Sequence, residues 1–408
     1  LHYKHTEKEL MNFETYVKEN FIATFNKLFR KQSSNLLTIK YYPEDLSFNE
    51  FNLKKEKILA EVLNDLATKT YSPTSLHPSF LEKSDGSLRL ICIPSIKDRV
   101  IQKLILKYIK EHHESKYILA TNHDFSAKIS EAGAIKARTK ALILRNQNPY
   151  VLKTDISSFF DNLDRRLAIK TVKEKLDIPE INYLLERIIK VETRFQKDNL
   201  NNEKENALLK SKKGKGIRQG MPMSSFLASL YLHDFDNFIE KENIKCVRYA
   251  DDLIIFCSSR KQALNYLEKV TIELEKIKLN IPPLEDKSKT QIVKNKPIDF
   301  LGLEFRFGGT KFKAYVPDVV FKTIHRKLEV YDSLNKNLKN KKDFSDVIQD
   351  IKYISNGYSA AFPDACNISE LEYEINTKKI IIFSKLLTSL GLDIERLSAR
   401  QKKFFFSI

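Results

Sequence analysis

Two aspartates stand side by side in Val247-Arg248-Tyr249-Ala250-Asp251-Asp252-Leu253-Ile254-Ile255-Phe256, between two apolar, β-prone runs. The pattern predicts a β-hairpin with an acidic turn at its tip. Adjacent carboxylates repel unless a cation compensates them, and Mg²⁺ is the usual partner of an all-oxygen donor set near phosphate. A second acidic strand end lies well upstream, in Val151-Leu152-Lys153-Thr154-Asp155. Asp155, Asp251 and Asp252 together suit phosphoryl transfer assisted by two metal ions.

Around these carboxylates the chain must build a sheet and the helices that back it. Residues 1–78 read as mainly helical, with Phe13, Tyr16, Val17, Phe21 and Phe25 at helical spacing. Lys83-Ser84-Asp85-Gly86-Ser87 is turn chemistry between two apolar runs, and Pro94 ends the second of them. Helices are predicted over 98–110, 164–176, 224–241 and 261–278, a strand at 151–156, the acidic hairpin over 245–257, a β-rich stretch at 298–316 and a basic helical stretch over 318–408. Asp164 is expected to cap the helix that begins at Arg165. In Gly214-Lys215-Gly216-Ile217-Arg218-Gln219-Gly220-Met221-Pro222-Met223-Ser224-Ser225 the glycines let backbone approach a ligand, and Ser224 or Ser225 is expected to cap the next helix. Ile354-Ser355-Asn356-Gly357-Tyr358 reads as a turn between helices. The order of elements implies an α+β fold, an antiparallel sheet with helices on one face.

The 408 residues carry a net charge of +17 and are 42% hydrophobic, which indicates a globular protein with a polyanionic partner. No apolar run is long enough to span a membrane, and the first residues lack the apolar core of a signal peptide, so neither membrane nor export is expected. Cys92, Cys246, Cys257 and Cys366 form no Cys-x-x-Cys pair; the first three sit in apolar runs and read as buried thiols of a reducing cytoplasm.

The motifs gain specificity as an ordered set. Asp155-x-x-x-Phe159-Phe160-Asp161, Arg218-Gln219-Gly220-x-Pro222-x-Ser224-Ser225 and Tyr249-Ala250-Asp251-Asp252 resemble the reverse transcriptase family, most closely its prokaryotic branch of group II intron, retron and defence-associated enzymes. Asp85 to Pro94 followed by Asp98-Arg99-Val100-Ile101-Gln102 resembles the fingers segment. Leu279-Asn280 with Lys287 to Thr290 resembles the lysine motif after the hairpin, and Phe300-Leu301-Gly302-Leu303 the primer-grip strand pair. Two features depart from the pattern. Residues 124–130 lack the Arg-Pro-Gly-rich segment common there, and Arg89-Leu90-Ile91 stands where Arg-Pro-Leu is commoner.

The resemblance implies a right-hand polymerase fold: an N-terminal helical extension over 1–78, fingers over 79–150, a palm over 151–310 and a helical basic thumb over 311–408. It implies an RNA-directed DNA polymerase in which Asp155, Asp251, Asp252 and the Ile156 carbonyl hold two Mg²⁺ ions, with Mn²⁺ as a substitute. Lys83, Arg89, Phe160, Gln219 and Lys289 would contact the incoming nucleotide, Phe160 by excluding a 2′-hydroxyl. Lys212, Lys213, Lys215, Lys322, Arg326 and Lys327 would contact nucleic acid. The implied partners are an RNA template, a non-coding RNA by analogy with the defence-associated enzymes, together with dNTPs and a DNA product or RNA–DNA hybrid. A second copy of the chain or an accessory defence protein would complete the assembly in a prokaryotic cytoplasm. Template-independent or protein-primed DNA synthesis at the same site, and RNA-directed RNA synthesis, are the alternatives.

Overall fold

A computed structural model describes residues 11–32, 37–40, 46–82, 86–117, 123–126, 133–194, 203–285, 288–392 and 396–401. The chain divides into two compact units, one drawn from 1–129, 155–244 and 266–283, the other from 130–154, 245–265 and 284–408.

The first unit is mostly helical. Helix Phe13–Phe29 buries Phe13, Tyr16, Val17, Phe21 and Phe25, as its spacing predicts, and Asn12 caps it by accepting the Thr15 amide. Helix Phe48–Ala67 opens with a capping box between Ser47 and Glu50, a device that contributes about 1 kcal/mol. The Phe25 and Phe51 rings lie 4.7 Å apart and join the two helices. Helix Ile96–His112 packs on them, and its Tyr108 hydroxyl hydrogen-bonds Glu180 in helix Pro179–Lys190. The other Glu180 oxygen accepts the Phe13 amide at 3.0 Å, which ties three helices to one carboxylate.

β1 (His77–Glu82) and β2 (Leu88–Ile93) pair antiparallel, Glu82 opposite Leu88, as the turn chemistry predicts. Lys83 to Asp85 lie outside the described residues. Asp164 caps helix Arg165–Thr171 by accepting the Leu167 amide, and the predicted 164–176 helix finishes in one wider turn, Val172–Leu176. The predicted helix over 224–241 is instead two, Ser224–Tyr231 and His233–Lys241. The break falls at the wholly buried Leu232, whose ψ of 3° leaves the helical region. Neither Ser224 nor Ser225 caps the first of these helices. Met223 occupies the cap, and the Ser224 hydroxyl donates to the Arg218 carbonyl at 2.7 Å.

The second unit holds two antiparallel sheets. One is ordered β4 (Cys246–Tyr249), β5 (Asp252–Cys257), β3 (Tyr150–Asp155), β6 (Gln291–Lys294); the other is ordered β7 (Ile298–Phe300), β8 (Leu303–Phe307), β9 (Phe312–Tyr315). Leu253 to Cys257 are all buried, which explains why that strand is a continuous apolar run rather than an alternating one. Cys92, Cys246 and Cys257 are buried thiols as expected, and Cys366 is exposed. Helices Asp318–Glu329, Leu334–Lys339, Phe344–Ala361 and Ile368–Ser389 follow. The expected turn at 354–358 lies inside the helix Phe344–Ala361. Gly357 has open space where a side chain would stand, so it sits on an unobstructed face and the helix continues through it. Val347, Ile351 and Ser355 bury at helical spacing and hold that helix, which outweighs the roughly 1 kcal/mol that one glycine costs. Arg138, 2% exposed, pairs with Asp364 at 2.6 Å and donates to the Leu301 and Ala361 carbonyls, fastening helix Ala134–Gln147 to the β7–β8 turn and the last helices.

The fold is α+β with antiparallel sheets, the expected class. Among the described residues no helix is long and apolar enough to cross a membrane.

Candidate active site

The acidic hairpin forms as the pattern predicts. Tyr249 pairs with Asp252, leaving Ala250 and Asp251 as a two-residue turn. Ala250 takes a left-handed conformation, φ 55°, which costs a non-glycine residue about 1 kcal/mol. Arg248 supports it: this arginine is wholly buried and donates to the Ala250 carbonyl at 3.2 Å. Sequence reasoning assigned Arg248 no role, although an arginine inside an apolar strand is itself a signal that something holds its charge. Asp251 and Asp252 are both half-buried, one in the turn and one beginning β5. β3 lies next to β5 in the sheet and ends on Asp155, also half-buried, followed by the buried Ile156. Thr154 and Thr290 share a buried hydrogen bond of 2.7 Å between their hydroxyls, which fixes the segment of the exposed Lys289 against β3. Lys287 lies outside the described residues.

In the first unit the chain after Asp155 makes a tight bend. The Ser157 amide donates to the Asn280 carbonyl at 2.8 Å, and Ser158 is left-handed, φ 46°. The bend turns the two adjacent phenylalanines to different tasks. Phe159 is buried at 2% exposure, whereas Phe160 stays half-buried, with ring centroids 5.3 Å apart. Phe159 therefore serves the core, and Phe160 remains available to a ligand.

The glycine loop is tied to both sides of this region. The Ile217 amide donates to the Phe160 carbonyl at 2.8 Å, and the Cys92 amide of β2 donates to the Gln219 carbonyl at 2.7 Å. The unit thus brings Phe160, half-buried Gln219 and the strand of exposed Arg89 into one hydrogen-bonded assembly. Lys212 pairs with Asp161 at 2.5 Å, while Lys213 and Lys215 are exposed. Glu192 accepts from Arg165 at 2.6 Å, from Arg218 at 2.6 Å and from the Gly214 amide at 3.0 Å. Burial pushes the Glu192 carboxyl upward, but the hydrogen bonds from Arg165 and then Arg218 hold it below the usual carboxylate range. This ion-pair cluster was not legible in the sequence, because Glu192 carries no motif and its partners lie on other elements.

Residues 81–305 match the family model described as reverse transcriptase (RNA-dependent DNA polymerase). The chain belongs to the reverse transcriptase family. The match covers both strands of the acidic hairpin, the glycine loop and the phenylalanine pair. The chain is 26% identical over 186 residues to Protein YkfC of Escherichia coli, covering 44% of this chain and 45% of that protein. It is 22% identical over 223 residues to the group II intron-encoded protein LtrA of Lactococcus lactis, covering 54% and 34%. The chain spans less than half the length of either relative. Among solved structures, telomerase from Candida albicans in complex with a fragment of telomeric RNA is similar at 15% identity and a TM-score of 0.36, covering 86% of this chain and 72% of that one. Apo telomerase from Candida tropicalis is similar at 14% and 0.40, covering 73% and 67%. Neither structural likeness is close enough to transfer a partner or an activity.

The remaining basic residues expected to meet nucleic acid in this reverse transcriptase family member, Lys322, Arg326 and Lys327, are exposed on helix Asp318–Glu329. Lys327 also lies 5.2 Å from the Tyr358 ring centroid.

Proposed function

We propose that this chain is an RNA-directed DNA polymerase that adds deoxynucleotides to a primer 3′-hydroxyl. The observation that carries the reading is the family match over residues 81–305 around a hairpin tip with two adjacent carboxylates, Asp251 in the turn and Asp252 at the start of β5. Asp155, at the end of β3, is the third carboxylate of the proposed set, with the Ile156 carbonyl beside it in sequence.

Enzymes of this family generally use divalent metal ions. The donors available here are carboxylate and carbonyl oxygens, a hard set that fits Mg²⁺ or Mn²⁺ better than a softer ion. Among the described residues no three His, Cys, Asp or Glu side chains gather into a group able to hold a metal by themselves. Magnesium sites in nucleotidyl-transfer enzymes commonly rest on one or two carboxylates, the rest of the shell being water and substrate phosphate. Shared between two ions, Asp155, Asp251 and Asp252 would give each ion one or two carboxylates, and these residues would hold the ions. When bound, two such ions lower the pKa of the attacking hydroxyl and neutralise charge on the leaving pyrophosphate.

The chain's own residues then supply position. Arg89 would bind the triphosphate in bidentate fashion, and Lys83 is proposed as a second phosphate contact. Gln219 would meet the incoming nucleotide, Lys289 would donate a proton to the leaving pyrophosphate, and Phe160 would place an apolar ring where a ribonucleotide carries its 2′-hydroxyl. Lys213, Lys215, Lys322 and Arg326 would neutralise template and primer phosphates, with Lys212 and Lys327 alongside them. By the same proposal residues 79–150, 151–310 and 311–408 act as fingers, palm and thumb. A non-coding RNA template and a role in antiphage defence complete the proposal and rest on resemblance to the defence-associated branch.

Incorporation of dNTPs and rNTPs opposite an RNA template tests the reading. Preference for dNTPs is expected. Preference for rNTPs would assign the chain to RNA-directed RNA synthesis, and extension without a template would assign it to template-independent synthesis.

A further inference from the structure

Glu192 sits at the meeting point of two chains of contact in the first unit. One runs from its Oε1 to Arg165 at 2.6 Å, from the Arg165 Nε to the Gly216 carbonyl at 2.8 Å, and from the neighbouring Ile217 amide to the Phe160 carbonyl at 2.8 Å. The other runs from its Oε2 to Arg218 at 2.6 Å, and from the adjoining Gln219 carbonyl to the Cys92 amide of β2 at 2.7 Å. Arg218 is only 4% exposed and also donates to the Lys212 and Lys215 carbonyls, so Glu192 is the carboxylate that balances a buried guanidinium at the root of the loop. The backbone of the same segment is anchored as well: the Leu76 amide donates to the Glu192 carbonyl at 2.9 Å, and the Thr193 hydroxyl lies 3.3 Å from the Cys92 thiol.

The loop has no slack against the phenylalanine it holds. A Cβ on Gly216 would overlap the Phe160 carbonyl and lie 2.7 Å from the Asp161 Cα, and Gly216 itself is left-handed, φ 65°. The loop backbone at Gly216 thus lies directly against the Phe160–Asp161 backbone, with no room for a side chain between them.

We propose that Glu192 is a positioning residue for sugar selection: through Arg165 and Gly216 it sets where the Phe160 ring stands, and through Arg218 it keeps Gln219 in register with β2. This inference rests on the reading of Phe160 as the group that excludes a 2′-hydroxyl. Steric exclusion of one oxygen atom tolerates little movement. Displacements on the order of 1 Å from remote mutations can change rates by about a hundredfold. A loosened clasp would thus admit ribonucleotides before it abolished synthesis.

The test is the ratio of kcat/KM for a dNTP to that for the matching rNTP, measured on one RNA template for the wild type, Glu192→Gln, Phe160→Ala and the double variant. Thermal unfolding of each protein runs in parallel. Glu192→Gln keeps the shape of the side chain and removes its charge. Arg165→Lys keeps the charge and removes the Nε bond to Gly216, and it serves if Glu192→Gln does not fold. The expected result is a ratio lowered by about tenfold or more in Glu192→Gln and in Arg165→Lys, with no further fall when Glu192→Gln is added to Phe160→Ala. A merely structural role would lower both rates together and leave the ratio unchanged, and that result overturns the inference, as does an additive double variant. If Phe160→Ala leaves the ratio unchanged, the reading of Phe160 itself fails, and the inference with it. If the wild type extends no primer, the polymerase reading fails.

Discussion

The Cys92 amide donates to the Gln219 carbonyl at 2.7 Å, so the strand that carries Arg89 and the loop that carries Gln219 share a backbone hydrogen bond. The backbone segments that carry two groups proposed to meet one nucleotide are thereby joined before any ligand arrives. Preorganisation of this kind lowers the cost of ordering a site during binding.

Gly220 protects that bond. It stands at φ 109°, and a Cβ there would lie 2.7 Å from the Cys92 carbonyl and 2.8 Å from the Ile91 Cγ2. Gly220→Ala is expected to destabilise the fold by about 2 kcal/mol and to raise the KM for dNTPs more than it lowers kcat. Urea unfolding and steady-state incorporation measure the two effects. An unchanged unfolding midpoint would show that the loop and β2 do not pack tightly together.

Asp164 sets an acid-side dependence. The hydrogen bond from Lys278, then that from the Leu167 amide, hold its carboxyl below the usual range. A carboxyl depressed in the folded state binds protons more readily in the unfolded state. Its contribution is therefore present above the unfolded pKa of about 4 and is lost as pH falls through the lower folded value. Asp164→Asn is expected to flatten the fall in stability from about pH 5 downward, read by denaturant unfolding across that range. A variant with the wild-type acid slope would remove Asp164 from this role.

Helix Asp318–Glu329 presents Lys322 and Arg326 to solvent. If they meet phosphates, replacing both by alanine weakens RNA–DNA hybrid binding on every sequence alike. It also reduces the slope of log affinity against log salt by about one unit for each phosphate no longer neutralised. Fluorescence anisotropy over a salt series reads this directly, and an unchanged slope would place the nucleic acid elsewhere.

The sequence was most legible where chemistry and periodicity coincide. The acidic hairpin, the strand ending on Asp155 and the Asp164 cap all follow from local rules: apolar runs broken by a polar turn, and an aspartate just ahead of a helix. Local rules failed where a distant partner decided. Ser224 reads as a cap, yet its hydroxyl is taken by the Arg218 carbonyl. Gly357 reads as a turn, yet buried Val347, Ile351 and Ser355 carry the helix through it. The stretch from 224 to 241 reads as one helix, because Ala228, Tyr231, Phe235 and Ile239 bury at helical spacing, yet the backbone breaks at Leu232. Glu192 was invisible for the same reason, since its meaning lies in Arg165 and Arg218, 27 and 26 positions away. Which of the two phenylalanines belongs to the core was equally open in the sequence; after the left-handed Ser158 it is Phe159 that is buried, while Phe160 stays half-buried.

The central claim is that the carboxylates of the hairpin turn power nucleotidyl transfer. It is tested most directly by extension of a primer on an RNA template with Mg²⁺ and dNTPs, comparing the wild type with Asp251→Asn. The variant keeps the turn's size and removes one charge. The account predicts DNA synthesis by the wild type and a loss of at least about a hundredfold in the variant, with an unchanged circular dichroism spectrum and unfolding midpoint. Equal synthesis by both proteins, or none by a folded wild type, would contradict it.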